Sequence, residues 1–374
     1  MNTDLIETIA LKEKHGAAYY DLHNSAGKRW LIRDSFVRTA FGLYQPTALK
    51  GKAVKFAFPL IHHSPAICRA LGFVRANYSL VPGIRMLFSD LFGGPVDCSF
   101  FGGTPGAHQK VVMQISRGPQ VLAYCKATDN PEVAALFERE AGNLLYLHDH
   151  GVNRVPKALY CGQIGGLTLF CQTNVSDVKR TTTILTARHR AFLTDLHTRT
   201  VQRMRFEDTD YYEKLRHLQG VIQRISDADE RDVVRKAVDF VIGRYEGEEV
   251  DFGFHHGDFT PWNIADTPEG IAVFDFEYAK RTYPPYLDAC HFYMQTQFFV
   301  HKRRDMRRIL DDYMGDKHVE KLLHGDRLWC MLLYLLAVID LYLSRGHENE
   351  DEMELRTCRI DMLKEVMRRY ADKD

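Results

Sequence analysis

The chain has 374 residues, too long for one ordinary hydrophobic core and suited to two or three domains. Hydrophobic residues make up 45% and charged residues 26%, which excludes a long disordered polypeptide and provides for a sizeable core. Lys plus Arg and Asp plus Glu both number 49, so the formal net charge is zero and no global attraction to nucleic acid follows.

The first residues, MNTDLIETIALKEKHG, carry acids early and lack an uninterrupted apolar stretch, so they do not read as a secretory signal, and a cytoplasmic setting is expected. Residues 1–95 read as a separate unit. Within it AYYDLHNSAGKRWLIR predicts a short hairpin turned at Asn24 to Gly27, followed by helical segments. Between Lys28 and Arg85 stand ten Lys or Arg and one acid, Asp34, a local charge of +9. These bases interleave with Trp30, Phe36, Phe41, Tyr44, Phe56, Phe58 and Phe73. That pattern is compatible with peripheral contact to anionic lipid or an acidic glycan, and the blander reading is a basic solvated face over a small core.

From Asp97 to Val175 short β-rich runs appear, VVMQI, VLAYCKA and LTLFCQ, with one helical stretch, Glu132 to His150, between the second and third. Beyond Asp177 the periodicity is mostly helical. It is broken by FGFHHGDFTPWNIADTPEGIAVFDFEYA, where two short strands flank a turn at Thr267 to Gly270. His189 and His197 lie on a helix with Phe192, Leu193 and Leu196 and read as core residues rather than a metal pair. The longest apolar run, Leu328 to Ile339, is twelve residues against about 20 for a bilayer span, and predicts a buried helix. The acidic run Glu348 to Glu354 predicts an exposed loop or helix start. Eight cysteines (68, 98, 125, 161, 171, 290, 330, 358) show no CxxC pairing and are expected as reduced, buried thiols without a structural zinc.

The strongest chemical signal is His256-Gly257-Asp258-Phe259-Thr260-Pro261-Trp262-Asn263, followed twelve residues later by Asp275-Phe276-Glu277. An Asp and an Asn five residues apart on one loop, with a second Asp closing the next hairpin, can converge on one divalent cation and a hydroxyl nucleophile. Phosphoryl transfer needs those parts, because its catalysis is mainly positioning and electrostatic stabilisation. Asp258 would accept or orient the hydroxyl proton, and Asn263 and Asp275 would offer hard oxygen ligands to Mg²⁺.

HGDxxxxN with a following DFE resembles the aminoglycoside phosphotransferase and choline kinase branch of the kinase-like fold, over roughly Asp97 to Met294. The resemblance implies an α+β, bilobal architecture: a small β-rich lobe with one main helix at 96–175, a larger mainly helical lobe at 176–374 carrying the catalytic loop, and the extra region 1–95. It implies that Lys126 on VLAYCKA pairs with the α- and β-phosphates of ATP and with Glu140 on the following helix. Gly102, Gly103 and Gly106 would form the loop over the phosphates, with an ordinary hairpin turn as the competing reading because Pro105 removes one donor. Gln172 to Val175 would be the adenine-contacting hinge, and Asp288 would brace the catalytic loop.

The expected activity is ATP- and Mg²⁺-dependent transfer to a hydroxyl of a small molecule or glycan, with a sugar in surface-polysaccharide metabolism as the preferred acceptor. A nucleotide-binding pseudokinase or scaffold is the alternative, and the intact Lys126, Glu140, Asp258, Asn263 and Asp275 speak against it. Protein kinase activity is disfavoured by HGD in place of HRD and by the lack of an APE-like sequence.

Overall fold

The computed structural model describes residues 5–25, 27–44, 49–103, 109–175, 182–323, 325–344 and 350–372. They fall into two compact units, Met1–Tyr146 with Pro156–Asp177, and Leu147–Val155 with Val178–Asp374.

The described residues of the first unit form one antiparallel sheet of eight strands. These are β1 (Ala10–His23), β2 (Arg29–Arg33), β3 (Phe73–Leu80), β4 (Asp97–Gly102), β5 (Val111–Arg117), β6 (Gln120–Thr128), β7 (Ala158–Ile164) and β8 (Leu167–Thr173), in the order β3-β1-β2-β4-β5-β6-β8-β7. The hairpin read from the sequence joins β1 to β2, with Leu22 opposite Trp30. Its turn is closed by the Asn24 amide donating to the Lys28 carbonyl at 3.0 Å and the Lys28 amide donating to Asn24 Oδ1 at 2.8 Å.

Residue 95 is not a structural break. Trp30 of β2 pairs with Phe101 of β4, so the N-terminal strands extend the same sheet. FVRANYSL, expected within a helical stretch, is β3, held against β1 with Phe73 opposite Leu22 and Leu80 opposite Ala10. Its partner residues lie 51 to 70 positions away, so no local periodicity announces the pairing.

Successive strand residues enter different cores, as the period of two requires. Tyr19 and Leu31 join Phe100, Met113, Cys125 and Leu169, covered by α1 (Leu5–Ile9) and, after the short helices α2 (Val37–Ala40), α3 (Leu49–Ile61) and α4 (Pro65–Ala70), by α5 (Pro82–Phe92). Tyr20, Trp30 and Ile32 join Phe41, Phe58 and Phe73 in a second cluster. The basic, aromatic segment is therefore partly core: Phe58 is buried, whereas Phe36 and Phe56 stand exposed. Helix α6 (Pro131–Asp149) follows β6.

The second unit is mainly helical. It contains α7 (Ala187–Thr200), α8 (Asp210–Val221), α9 (Ala228–Tyr245), α10 (Leu287–Gln295), α11 (Met306–Gly315), α12 (Lys317–Leu323), α13 (Arg327–Ser344) and α14 (Glu350–Ala371). Strands β9 (Gln202–Arg205), β10 (Glu249–His255) and β13 (Lys280–Tyr283) make one small sheet, and β11 (Ile264–Thr267) with β12 (Gly270–Val273) makes a hairpin. Helix α13 is long and apolar enough by composition to cross a bilayer, but it is mostly buried and packs against α8, α10 and α14. Its Asp340, without solvent access, meets Lys214 Nζ and His217 Nδ1 of α8, each at 2.6 Å.

His189 has a structural task. Its Nδ1 accepts the Thr186 amide at 3.2 Å in a capping box that starts α7, and burial pushes its pKa down to about 4. All eight cysteines are free, and Cys161 is exposed rather than buried.

Candidate functional site

In the first unit, Lys126 sits on β6 between Val112 of β5 and Phe170 of β8, at the middle of the sheet. Its Nζ lies 2.6 Å from Glu140 Oε2 of α6, and Glu140 has no solvent exposure. Two charges so deeply placed are tolerated because each is the other's counter-ion, and the pair holds the ammonium in one position.

The glycines divide. Gly102 ends β4, and a Cβ there would come within 3.1 Å of Ile6 Cδ1, the movable end of a side chain of α1. The Gly103 amide donates to the Lys110 carbonyl at 3.3 Å, at the mouth of the β4–β5 connection. Gly106 lies outside the described residues. Gln172 is within β8 rather than past its end, opposite Tyr124 and Ala158, with a buried side chain. The strand finishes at Thr173, where Asn174 donates its amide to the Leu122 carbonyl.

In the second unit, the turn after β10 carries His256, Gly257 and Asp258. Gly257 has φ +82°, and a Cβ there would meet the Tyr278 carbonyl oxygen at 2.6 Å, which explains why glycine stands in this position. Phe259 is fully buried among Phe192, His256 and Phe292, pinning the loop from below.

Asp288, at the start of α10, takes the amides of His256 (2.8 Å) and Gly257 (3.1 Å), and its Oδ1 lies 3.0 Å from His255 Nδ1. Burial pushes its pKa up, but His255 and these hydrogen bonds outweigh it and hold the carboxyl at about 2. His256 is buried, which lowers its pKa. Its Nδ1 accepts the Asp258 amide at 3.1 Å while Nε2 faces the Phe274 carbonyl at 3.1 Å, the pattern of a neutral imidazole used as a brace.

Asp258 remains partly exposed, with a carboxylate engaged at both oxygens. Asn263 Nδ2 donates to Oδ2 at 2.8 Å and to the Asp258 carbonyl at 3.0 Å, and His291 Nε2 of α10 lies 3.1 Å from Oδ1. His291 was not foreseen: one histidine within LDACHFYMQ has no local signature.

The β11–β12 hairpin brings Asn263 and Asp275 together. Ile264 pairs with Val273 and the Phe274 amide donates to the Asn263 carbonyl at 3.1 Å, so the two residues flank its open end. Asp275 is left-handed, φ +72°, a conformation that Asp tolerates better than most residues and that concentrates at functional positions. The Asn263 amide oxygen takes no part in the bonds to Asp258. Together with the Asp275 carboxylate it would offer hard oxygen donors of the kind that suits Mg²⁺.

The family profile described as "Phosphotransferase enzyme family" (APH) matches residues 110–304, over half of the chain. No curated protein matches. Among solved structures, a thermostable mutant of aminoglycoside phosphotransferase APH(4)-Ia in ternary complex with ADP and hygromycin B is 14% identical, covering 76% of this chain and 98% of its own, at a TM-score of 0.50. A candidate fructosamine-3-kinase from Thermobifida fusca YX-ER1 is 16% identical, covering 77% and 99%, at 0.51. The choline kinase LicA from Streptococcus pneumoniae is 16% identical, covering 75% and 98%, at 0.46. At such identities the likeness to the first two establishes the fold alone: α+β and kinase-like, preceded here by about 110 additional residues.

Proposed function

The chain belongs to the phosphotransferase enzyme family, and we propose that it moves the γ-phosphoryl group of ATP to a hydroxyl of a small molecule or glycan. The observation that carries this reading is the Asp258 carboxylate, held by Asn263 and His291 yet partly open to solvent. An acceptor hydroxyl placed against it loses its proton to the carboxylate as its oxygen attacks phosphorus. Asn263 and Asp275 are the residues that would hold Mg²⁺, which when bound supplies positive charge to the phosphate oxygens. Lys126, fixed by Glu140, is the partner for the α- and β-phosphates. The backbone from Gln172 to Val175 is the segment assigned to adenine, and Gly102, Gly103 and Gly106 are the glycines assigned to cover the phosphates.

Sugar hydroxyls are the acceptor class we favour. ATP as donor and eight free cysteines support a cytoplasmic setting. Peripheral contact with an anionic bilayer is a second part of the proposal, favoured by Leu49, Phe56 and Leu60, which project from α3 among lysines.

The deciding experiment is phosphotransfer by Asp258→Asn and Asp258→Ala. Turnover should fall by about a hundred- to ten-thousand-fold while nucleotide binding survives. Full turnover in either variant would defeat the assignment, and a wild type that binds ATP without Asp258-dependent turnover would instead support the pseudokinase reading.

A further inference from the structure

The catalytic loop carries one large ring that its packing does not use. Trp262 stands between Pro261 and Asn263 in a short 3-10 turn; both neighbours are buried, while Trp262 is 45% exposed. Tryptophan is highly buried on average, so an exposed one beside a base candidate calls for an explanation. Its ring meets Phe299 edge to face, centroids 6.0 Å apart and planes at 90°. Phe299 is itself 40% exposed.

Phe299 belongs to a π-helical turn, Thr296–Val300, that continues α10. Such wide turns rotate the side chains that follow them away from α-helical register and concentrate at functional sites. Here Phe298 is turned inward and Phe299 and Val300 outward. One continuous helical segment thus touches the catalytic loop twice, at Asp258 through His291 and at Trp262 through Phe299. The two perpendicular rings make an aromatic corner on the same loop as the base.

On its Phe299 side the corner carries positive charge. Lys302 Nζ lies 5.9 Å from the Phe299 centroid, and His301 beside it is exposed. Asp305, the nearest acid along the chain, caps α11 by accepting the Arg308 amide at 3.1 Å, while Asp312 pairs with Arg303 at 2.6 Å and Glu354 with Arg304 at 3.0 Å. The cation position over Phe299 is already filled by the chain's own ammonium, and a second ammonium would meet like charge there.

We propose, resting on the phosphotransfer reading, that Trp262 and Phe299 hold the ring of the acceptor beside Asp258, and that the acceptor is a neutral or anionic ring-bearing alcohol, a sugar or nucleoside, rather than a quaternary-ammonium alcohol. A sugar or base face lies flat on an aromatic side chain, and an acceptor so held keeps a hydroxyl within reach of the carboxylate.

The test uses the full-length protein with MgATP and four probes: glucose, glucose 6-phosphate, uridine and choline. Acceptor-dependent ADP release should appear with a sugar or nucleoside probe and be weakest with choline. Trp262→Ala and Phe299→Ala should each raise KM for that probe about tenfold, with KM for ATP changed less than about twofold. Lys302→Glu should shift preference toward choline. Preferential use of choline by the wild type, an unchanged acceptor KM in both ring variants, or the absence of both turnover and tryptophan-fluorescence quenching with every ring-bearing probe would each overturn the proposal. Asp258→Ala is run alongside: turnover that survives it counts against the phosphotransfer reading and leaves Phe299→Ala, which keeps Trp262 as the reporter, to be judged by quenching.

Discussion

His291 Nε2 and Asp258 Oδ1, thirty-three residues apart in the chain, lie 3.1 Å from each other, while Asn263 Nδ2 holds the other carboxylate oxygen at 2.8 Å. The carboxylate is therefore fixed from two directions, by its own loop and by α10, and cannot swing without losing a bond. Replacing His291 by Ala should lower kcat by about ten- to a hundredfold, the effect of a base displaced by a fraction of a bond length, and leave KM for ATP within about twofold. Gln, which keeps a donor near the Nε2 position, should recover part of the loss. Steady-state ADP release from the three proteins measures this, and equal kcat for Ala, Gln and wild type would show the contact to be idle.

Much of the second unit's site was legible because it is local in sequence. HGDFTPWN and DFE lie on one turn and one hairpin, so the spacing of Asp258, Asn263 and Asp275 already encodes their meeting. The contacts that fix them come from elsewhere: His291 belongs to a helix whose arrival at Asp258 depends on tertiary packing. The same limit hid β3, whose partner β1 is distant. Trp262 was visible but unread, because exposure is not a property of sequence.

Asp288 predicts an acid-dependent component of stability. Its folded pKa of about 2 lies below the ordinary carboxylate value of 3.8, so the ionised form is favoured by folding. The contribution is fully present above the unfolded pKa and fades as pH falls from about 4 toward 2, when the native carboxylate takes up its proton; a shift of this size is worth about 2 kcal/mol. Asp288→Asn removes it. Urea unfolding should show the variant well below wild type at about pH 7 and the gap narrowing at about pH 3. A gap independent of pH would mean that Asp288 acts through shape and not charge.

Gly257→Ala should be disproportionately harmful for the gain of one methyl group. The backbone there is left-handed, and the new methyl would meet the Tyr278 carbonyl oxygen at 2.6 Å, a backbone atom with no flexible end to yield. The strain is on the order of 1–3 kcal/mol. Because His256 and Asp258 flank the position, relief by backbone movement displaces the base. Both the melting temperature and kcat should fall, and an alanine variant with wild-type kcat would refute this account of the glycine.

The exposed face of α3 yields the last prediction. Leu49, Phe56 and Leu60 are 84%, 82% and 66% exposed, and at about 100° per residue they fall within about 20° of one line along the helix. Phe58 turns the other way into the core, so the outward rings and chains are not needed for folding. Arg38 and Lys55 line a hollow of about 310 Å³ with Phe56 and Leu60, and Lys52 stands exposed on the same helix. The one acid between Lys28 and Arg85, Asp34, is bound to Arg75 at 2.6 Å. Protruding apolar groups among bases that pair with no acid among the described residues suit an anionic bilayer surface, where each base adds about 1 kcal/mol and salt weakens the attraction. Vesicles of phosphatidylglycerol and phosphatidylcholine should therefore sediment the protein at low salt, pure phosphatidylcholine should not, and Phe56→Ser with Leu60→Ser should lose the effect without a change in melting temperature. Equal sedimentation with neutral vesicles, or none with either, would remove the membrane from the account and leave α3 to a protein partner or to solvent.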